Sequence, residues 1–240
     1  MGASGLIENL RILALLPVLK LTEQSITHFT KDGKTDFFQK EAFDWVQDIE
    51  SKWTHIRDEL EPLLEDRAKI PNLQEINPTS SNLSSDDKWK SFVIYVYGSP
   101  VDKNCARCPK TAELLKNIPG METAMFSILA PGKNIPEHRG IYNGFIRWHL
   151  PLRVPKDREK CYIIVNGKNH VWKEGEMVIF DDTFKHQVSN DTEDERVVLL
   201  VDIQRPLTGW LDRLNRMVIR RLEKTSFVQD GIKFLKNRKY

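Results

Sequence analysis

The sequence predicts a mainly β domain, a jelly roll or small barrel, with helices at both ends. Three observations carry that expectation. Eight short runs of strand-forming residues follow one another between Phe92 and Ile203, separated by turn residues. An apolar period of three to four residues precedes them and a second one follows them. The 240-residue length suits a single domain with a sizeable core.

Taken in order, Leu6 to Leu21 is apolar-rich but carries Glu8, Arg11 and Lys20 and is interrupted by Pro17. It falls short of the roughly 20 apolar residues that span a bilayer. It also lacks a basic leader followed by a small-residue cleavage site. It reads as a helix that packs on the domain or lies on a membrane surface. Phe43, Val46, Ile49, Trp53, Ile56, Leu60 and Leu63 mark one face of a helix over Glu41 to Leu64. Pro71 to Lys88 has no period and is rich in Asn, Pro, Ser and Asp, so it reads as a long loop and a candidate wall for a substrate mouth.

Strands are expected at Phe92–Tyr97, Thr123–Leu129, Gly144–Leu152, Cys161–Val165, His170–Lys173, Met177–Phe180, Gln187–Ser189 and Arg196–Ile203. A short helix from Pro109 to Ile118 interrupts them, with proline in its first turn. Asn166-Gly167 is a type I′ hairpin signal, and Pro131-Gly132 and Glu174-Gly175 mark further turns. Trp210 to Lys224 returns to helix, with Leu211, Leu214, Val218, Ile219 and Leu222 on one side and Arg213, Arg216, Arg220, Arg221 and Lys224 on the other. The organisation is therefore a helical region at 1–65 packing on the core, a loop at 66–90, the β domain at 91–207 and a basic helical tail at 208–240.

Composition narrows the function. Hydrophobic residues at 40% and charged residues at 29% describe an ordinary globule, and a net charge of +2 gives no case for a nucleic-acid partner. The charge is unevenly spread. From Arg205 onward six Arg and four Lys face Asp212, Glu223 and Asp230, a net +7 that leaves the rest at −5. Such a tail is either a solvated helix face or a surface drawn to anionic lipid. Cys105, Cys108 and Cys161 are too few and odd in number for a disulfide framework, so a reducing, cytoplasmic setting is expected. Cys105 and Cys108 have C-x-x-C spacing but no second pair to complete a zinc site.

The chemistry centres on His138 and His186, distant in sequence and both among short strands, with Arg196 ten positions after the second. Two imidazoles meeting inside a barrel suit Fe(II). A guanidinium one strand further on can hold the distal carboxylate of an organic acid. The set points to an oxygenase using Fe(II), 2-oxoglutarate and O2. The position two after His138, where a carboxylate ligand is usual, holds Gly140. Water or another acid must complete the metal, and a carboxylate introduced at position 140 is expected to reach it. Asp181 and Asp182 are read as capping the turn before His186.

Residues 92–207 resemble the aspartyl/asparaginyl β-hydroxylase family, which includes bacterial lipid A hydroxylases. The matching segments are Leu129-Ala130-Pro131-Gly132, His138-Arg139-Gly140, Arg147-Trp148-His149-Leu150, Trp172-Lys173-Glu174-Gly175-Glu176, Phe180 to His186 and Val201 to Pro206. The resemblance implies a double-stranded β-helix of cupin-like jelly-roll form. It implies that His138 and His186 bind iron and that Arg196 and Ser127 hold the distal carboxylate of 2-oxoglutarate. Arg147 and His149, on one face of a strand, are implied to contact the inner carboxylate or the substrate. Gly140 matches the animal protein hydroxylases. Cys108 to Leu114 and the basic C-terminal helix are closer to the lipid A group.

The expected function is hydroxylation of an unactivated C–H bond on the acyl or aminoacyl part of a membrane lipid. It would take place at an anionic surface on the inner face of the membrane. The alternatives are β-hydroxylation of aspartyl or asparaginyl residues or of a free amino acid, and a non-catalytic cupin-like binding module.

Overall fold

A computed structural model describes residues 3–238, with side chains from Leu15 onward. The chain begins with α1 (Ala3–Phe29), a two-residue strand β1 (Phe37–Phe38), α2 (Val46–Ser51), α3 (Trp53–Glu65) and a single turn α4 (Leu73–Ile76). Next come β2 (Trp89–Val96), β3 (Ser99–Pro100), α5 (Asp102–Cys105) and α6 (Pro109–Lys116). The barrel strands are β4 (Met121–Leu129), β5 (Lys133–His138), β6 (Phe145–Arg153), β7 (Cys161–Val165), β8 (Lys168–Val171), β9 (Val178–Phe180), β10 (His186–Asn190) and β11 (Arg196–Gln204). The helices α7 (Gly209–Glu223) and α8 (Ser226–Asn237) follow.

Two antiparallel sheets form, in the orders β1-β9-β6-β11-β4-β2-β3 and β5-β10-β7-β8. From β4 to β11 the chain passes back and forth between them, which is the double-stranded β-helix. The expected hairpin is present. Asn166 and Gly167 both have positive φ, 51° and 77°, between β7 and β8, as a type I′ turn requires.

Strand alternation explains how the large sheet is used. Val197, Leu199, Val201 and Ile203 of β11, with Ile146, Trp148, Leu150 and Leu152 of β6, face outward under a layer that includes Ile49, Ile56, Leu60, Leu63 and Leu115. The intervening positions therefore face the small sheet: Arg147 and His149 on β6, Arg196 on β11 and Ser127 on β4. Apolar helices on one side and polar residues inside is an inversion of the usual half-solvated sheet. It explains why β11 is buried on both faces for most of its length.

Two local expectations are corrected, and one strand is found where none was expected. The single helix over Glu41 to Leu64 is a 3₁₀ turn at Lys40–Ala42 followed by α2 and α3, broken at Lys52, which leaves helical geometry at φ −107°, ψ 8°. Its apolar period runs through the break because both helices bury their faces in the same core. The stretch from Pro71 to Lys88 is not wholly irregular but contains α4 and a 3₁₀ turn at Pro78–Asn82. The strand carrying His138 had no expectation at all. β5 is an edge strand with Pro136 inside it, which an edge tolerates and a central strand does not.

The N-terminal helix runs past Leu21 to Phe29, and its described part packs on α7 through Leu15, Ile26, Leu211, Val218 and Ile219. Among the described residues no helix is long and apolar enough to cross a membrane. Val228 of α8 is buried, and Leu235 of α8 packs against Val93 and Val101.

Candidate active site

β5 and β10 pair antiparallel with His138 and His186 as direct register partners. Their rings face into the barrel with centroids 4.1 Å apart. Each ring is fixed the same way. His138 Nδ1 lies 2.8 Å from the Pro136 carbonyl and His186 Nδ1 lies 2.9 Å from the Phe184 carbonyl. A carbonyl can only accept, so both Nδ1 atoms carry the proton and both Nε2 lone pairs are free. Burial lowers the pKa of both rings, that of His186 to about 3, with His138 adding to the effect. Both are therefore neutral, the form that ligates a metal.

One narrow cavity is lined by all six residues singled out in the sequence: Ser127, His138, Arg147, His149, His186 and Arg196. Arg196 opens β11, is 2% exposed and lies over the Trp172 ring at 4.8 Å. Its Nη1 donates to the Ser127 carbonyl at 3.3 Å, while its Nε has no partner. No carboxylate lies within ion-pair distance of it among the described residues, Glu195 acting on it only from further away, and burial lowers its pKa to about 10. A buried cation without a counter-ion is costly unless an anion completes it. The Ser127 hydroxyl accepts from Trp89 Nε1 at 3.1 Å. His149 is buried with both ring nitrogens unpartnered, and burial, then Arg196, hold it well below the usual histidine range. Buried polar groups seldom lack partners, so His149 and Arg196 together mark where a polar ligand belongs.

Arg147 lines the cavity but its guanidinium is engaged. It donates to both oxygens of Asp202 at 2.7 and 2.9 Å and lies 3.1 Å from Asp182. Asp181 caps the turn as expected, accepting from Thr183 N and Oγ1, and also pairs with Arg205. Asp182 has a role that sequence reasoning missed. A Cβ at position 140 would lie 2.2 Å from Asp182 Oδ1 and 2.4 Å from its Cγ. The carboxylate of Asp182 therefore fills the space that a side chain at 140 would need. Gly140 N also donates to the Asp182 carbonyl at 2.7 Å. Burial raises the Asp182 pKa to about 6, against the lowering effect of Arg147. Among the described residues no three His, Cys, Asp or Glu side chains cluster as metal ligands.

An acid at position 140 would have to displace the Asp182 side chain before it could reach a metal. Gly140→Ala alone requires the Asp182 carboxylate to shift from its place beside Arg147. It should lower stability by about 1–3 kcal/mol, the usual cost of overpacking a tight site. Thermal denaturation checks this, and an unchanged melting temperature would show that Asp182 swings aside freely.

The fold and cavity define a class first, a double-stranded β-helix with two facing imidazoles beside an unpaired guanidinium in its interior. The chain belongs to the aspartyl/asparaginyl β-hydroxylase family, whose profile matches residues 50–206, and its relatives are hydroxylases. The ornithine lipid ester-linked acyl 2-hydroxylase of Rhizobium tropici is 37% identical over 204 residues, covering 85% of this chain and 73% of that protein. Human aspartyl/asparaginyl β-hydroxylase is 34% identical over 168 residues, which is 67% of this chain but only 21% of that longer protein. Among solved structures, a cupin 2 barrel protein from Salinispora arenicola covers 57% of this chain at 14% identity and a TM-score of 0.33. The fold assignment rests on the strand order and not on that likeness.

Proposed function

We propose that this protein is an Fe(II)- and 2-oxoglutarate-dependent dioxygenase that hydroxylates an unactivated C–H bond on the acyl or aminoacyl part of a membrane lipid. The observation that carries the reading is the shared cavity, with two free Nε2 atoms beside a buried guanidinium lacking a carboxylate. The donor set fits the metal, since two neutral imidazoles with fixed tautomers are borderline ligands suited to Fe(II). His138 and His186 would hold it. Bound there, iron supplies the redox chemistry by which 2-oxoglutarate and O2 become succinate and CO2 as one oxygen atom enters the C–H bond.

The chain's own residues bind and orient. Arg196 takes the distal carboxylate of 2-oxoglutarate, with the Ser127 hydroxyl beside it and Trp172 holding the guanidinium plane. His149 offers the buried imidazole that the oxoacid can bond. Arg147, clamped by Asp182 and Asp202, fixes the inner wall and holds the Asp182 carboxylate next to Gly140. The test of this reading is oxygen-dependent succinate formation by the purified iron-loaded chain, with mass spectrometry of lipid extracts for an added oxygen atom. Succinate without iron dependence would overturn it.

The lipid assignment is supported by the relative that modifies an ornithine lipid and by the surface of α7. Trp210, Arg213, Met217, Arg220, Arg221 and Lys224 share the outer face of α7, all exposed, opposite the side that packs on α1. Phe29 at the end of α1, also exposed, meets Trp210 edge-on at 5.9 Å. An apolar rim with four cations suits an anionic leaflet, at about 1 kcal/mol per cation near the surface. Charge reversal at Arg213, Arg220 and Arg221 should therefore abolish most co-sedimentation with anionic vesicles. Binding of the wild-type chain should fall as salt rises, since exposed charges are screened over about 10 Å at 0.1 M. Equal, salt-independent sedimentation of both would shift the substrate to a soluble peptide or amino acid. That second reading, β-hydroxylation of an aspartyl or asparaginyl group, is favoured by Gly140 and the human relative.

A further inference from the structure

Strand register locates the mouth of the histidine cavity. Met125 of β4 pairs with Leu200 of β11, and Leu200 pairs in turn with His149 of β6. Two residues further along each strand, Thr123, Asp202 and Arg147 form the next row. Both rows lie on the face of the large sheet that carries Ser127 and Arg196, because side chains two apart in a strand share a face. Leu200 lines the same narrow cavity as His138 and His186.

Exposure rises along that face. Ser127, His149 and Leu200 are 2%, 4% and 7% exposed. Met125 and Thr123 are partly exposed, and so are the Asp202 and Arg147 side chains, at 17% and 22%. The inner face therefore reaches solvent at the corner of Met125 and Thr123, at the end of the strands opposite Arg196.

This corner is apolar on one side and electrostatically closed on the other. Met125 lies beside Val93 in register and packs against the cluster of Val93, Val101 and Leu235, where Val96 and Phe234 are also only partly buried. Apolar surface thus continues outward from Leu200 through Met125 towards α8. The cation of the outer row, Arg147, is already held by two carboxylates, Asp202 on Nε and Nη2 and Asp182 on Nη1. A substrate carboxylate entering here meets two acidic side chains on that guanidinium and a thioether beside it. An uncharged chain meets Leu200 and Met125, whose unbranched side chain adapts to irregular apolar contact.

Building on the lipid reading above, we infer that Met125, seated with Leu200 at this mouth, contacts the substrate next to its reacting carbon and selects an uncharged, apolar segment there. Met125 is then a specificity-determining residue. The two carboxylates on Arg147 disfavour an acidic segment at the same point, an aspartyl side chain included.

Calorimetric titration of the full chain with monooctanoylglycerol and monosuberoylglycerol, in oxygen-free buffer with Fe(II) and 2-oxoglutarate, tests this. The two probes match in chain length and differ by a terminal carboxylate. The wild-type chain should prefer the octanoyl probe by about tenfold, a specificity being a ratio of affinities within one protein. Met125→Leu should keep that ratio. Met125→Gln, of similar volume but with a polar end left unpaired against an apolar chain, should bring it near unity. Photolysis of an octanoyl probe with a diazirine in its chain should label Met125 or Leu200, as mapped by peptide mass spectrometry. Equal binding of both probes by the wild-type chain, an unchanged ratio in Met125→Gln, or labels confined to other segments overturns the inference. An unmoved ratio alongside oxygen gain in lipid extracts removes the mouth assignment alone. A ratio that follows position 125 without oxygen gain in lipids supports Met125 as the selecting residue and removes the lipid reading alone.

Discussion

Replacing His138 or His186 with alanine is expected to abolish iron-dependent turnover while the barrel stays folded. The two rings are the only imidazoles in the cavity whose Nδ1 atoms are already committed to backbone carbonyls, leaving Nε2 for a metal. Loss of an outer-shell partner of a metal ligand costs about 10–100-fold. Removing the ligand itself, when the protein supplies two, must cost more. The fold should survive because the strand pairing that places the rings is made by backbone, over several residues of β5 and β10. Iron binding by calorimetry and succinate release together check this. Near-normal values of both in either variant would dismiss the two-histidine site.

Arg196→Ala is expected to have the second largest effect. Its guanidinium is buried, lies over the Trp172 ring and has no carboxylate within ion-pair distance among the described residues, so on the proposed reading the oxoacid supplies its counter-charge. Truncating one member of a buried charged pair costs about 2–5 kcal/mol, which is a rise in the apparent KM for 2-oxoglutarate of roughly 30-fold or more. Arg196→Lys should recover only part, since an ammonium cannot reproduce the planar fork or its stacking. The effect should fall on the oxoacid KM with little change in iron affinity. An unchanged KM would place the cosubstrate elsewhere.

What could be read in the sequence was mostly what is local. β7, the Asn166-Gly167 turn and the central strands β6 and β11 announce themselves through composition and turn chemistry. Among the candidate residues, His138, His186 and Arg196 stood out by type and spacing, while Ser127, Arg147 and His149 came from the resemblance to the hydroxylase family. Period two puts Arg147 and His149 on one face, and the fold supplies the rest. Features that depend on distant contacts were not. The contest between Gly140 and Asp182 joins residues on different segments and appears only when a Cβ is placed at 140. β5 was hidden by Pro136 and by having only Ile135 as a buried apolar residue. The last turns of α1 lose their apolar signal because Thr22 and Ser25 are buried instead, each donating its hydroxyl to the carbonyl four residues back. That hidden extension carries Glu23 and Thr27 to the surface beside Arg139 and Thr183.

The most direct test of the account is an oxygen-free titration of the chain with Fe(II), in the presence and absence of 2-oxoglutarate, on wild type, His186→Ala and Arg196→Ala. The account predicts one Fe(II) per chain, bound by wild type and lost in His186→Ala, and 2-oxoglutarate binding that needs the metal and is weakened at least 30-fold in Arg196→Ala. Stoichiometric Fe(II) binding that survives in His186→Ala, or 2-oxoglutarate binding indifferent to both changes, would contradict it.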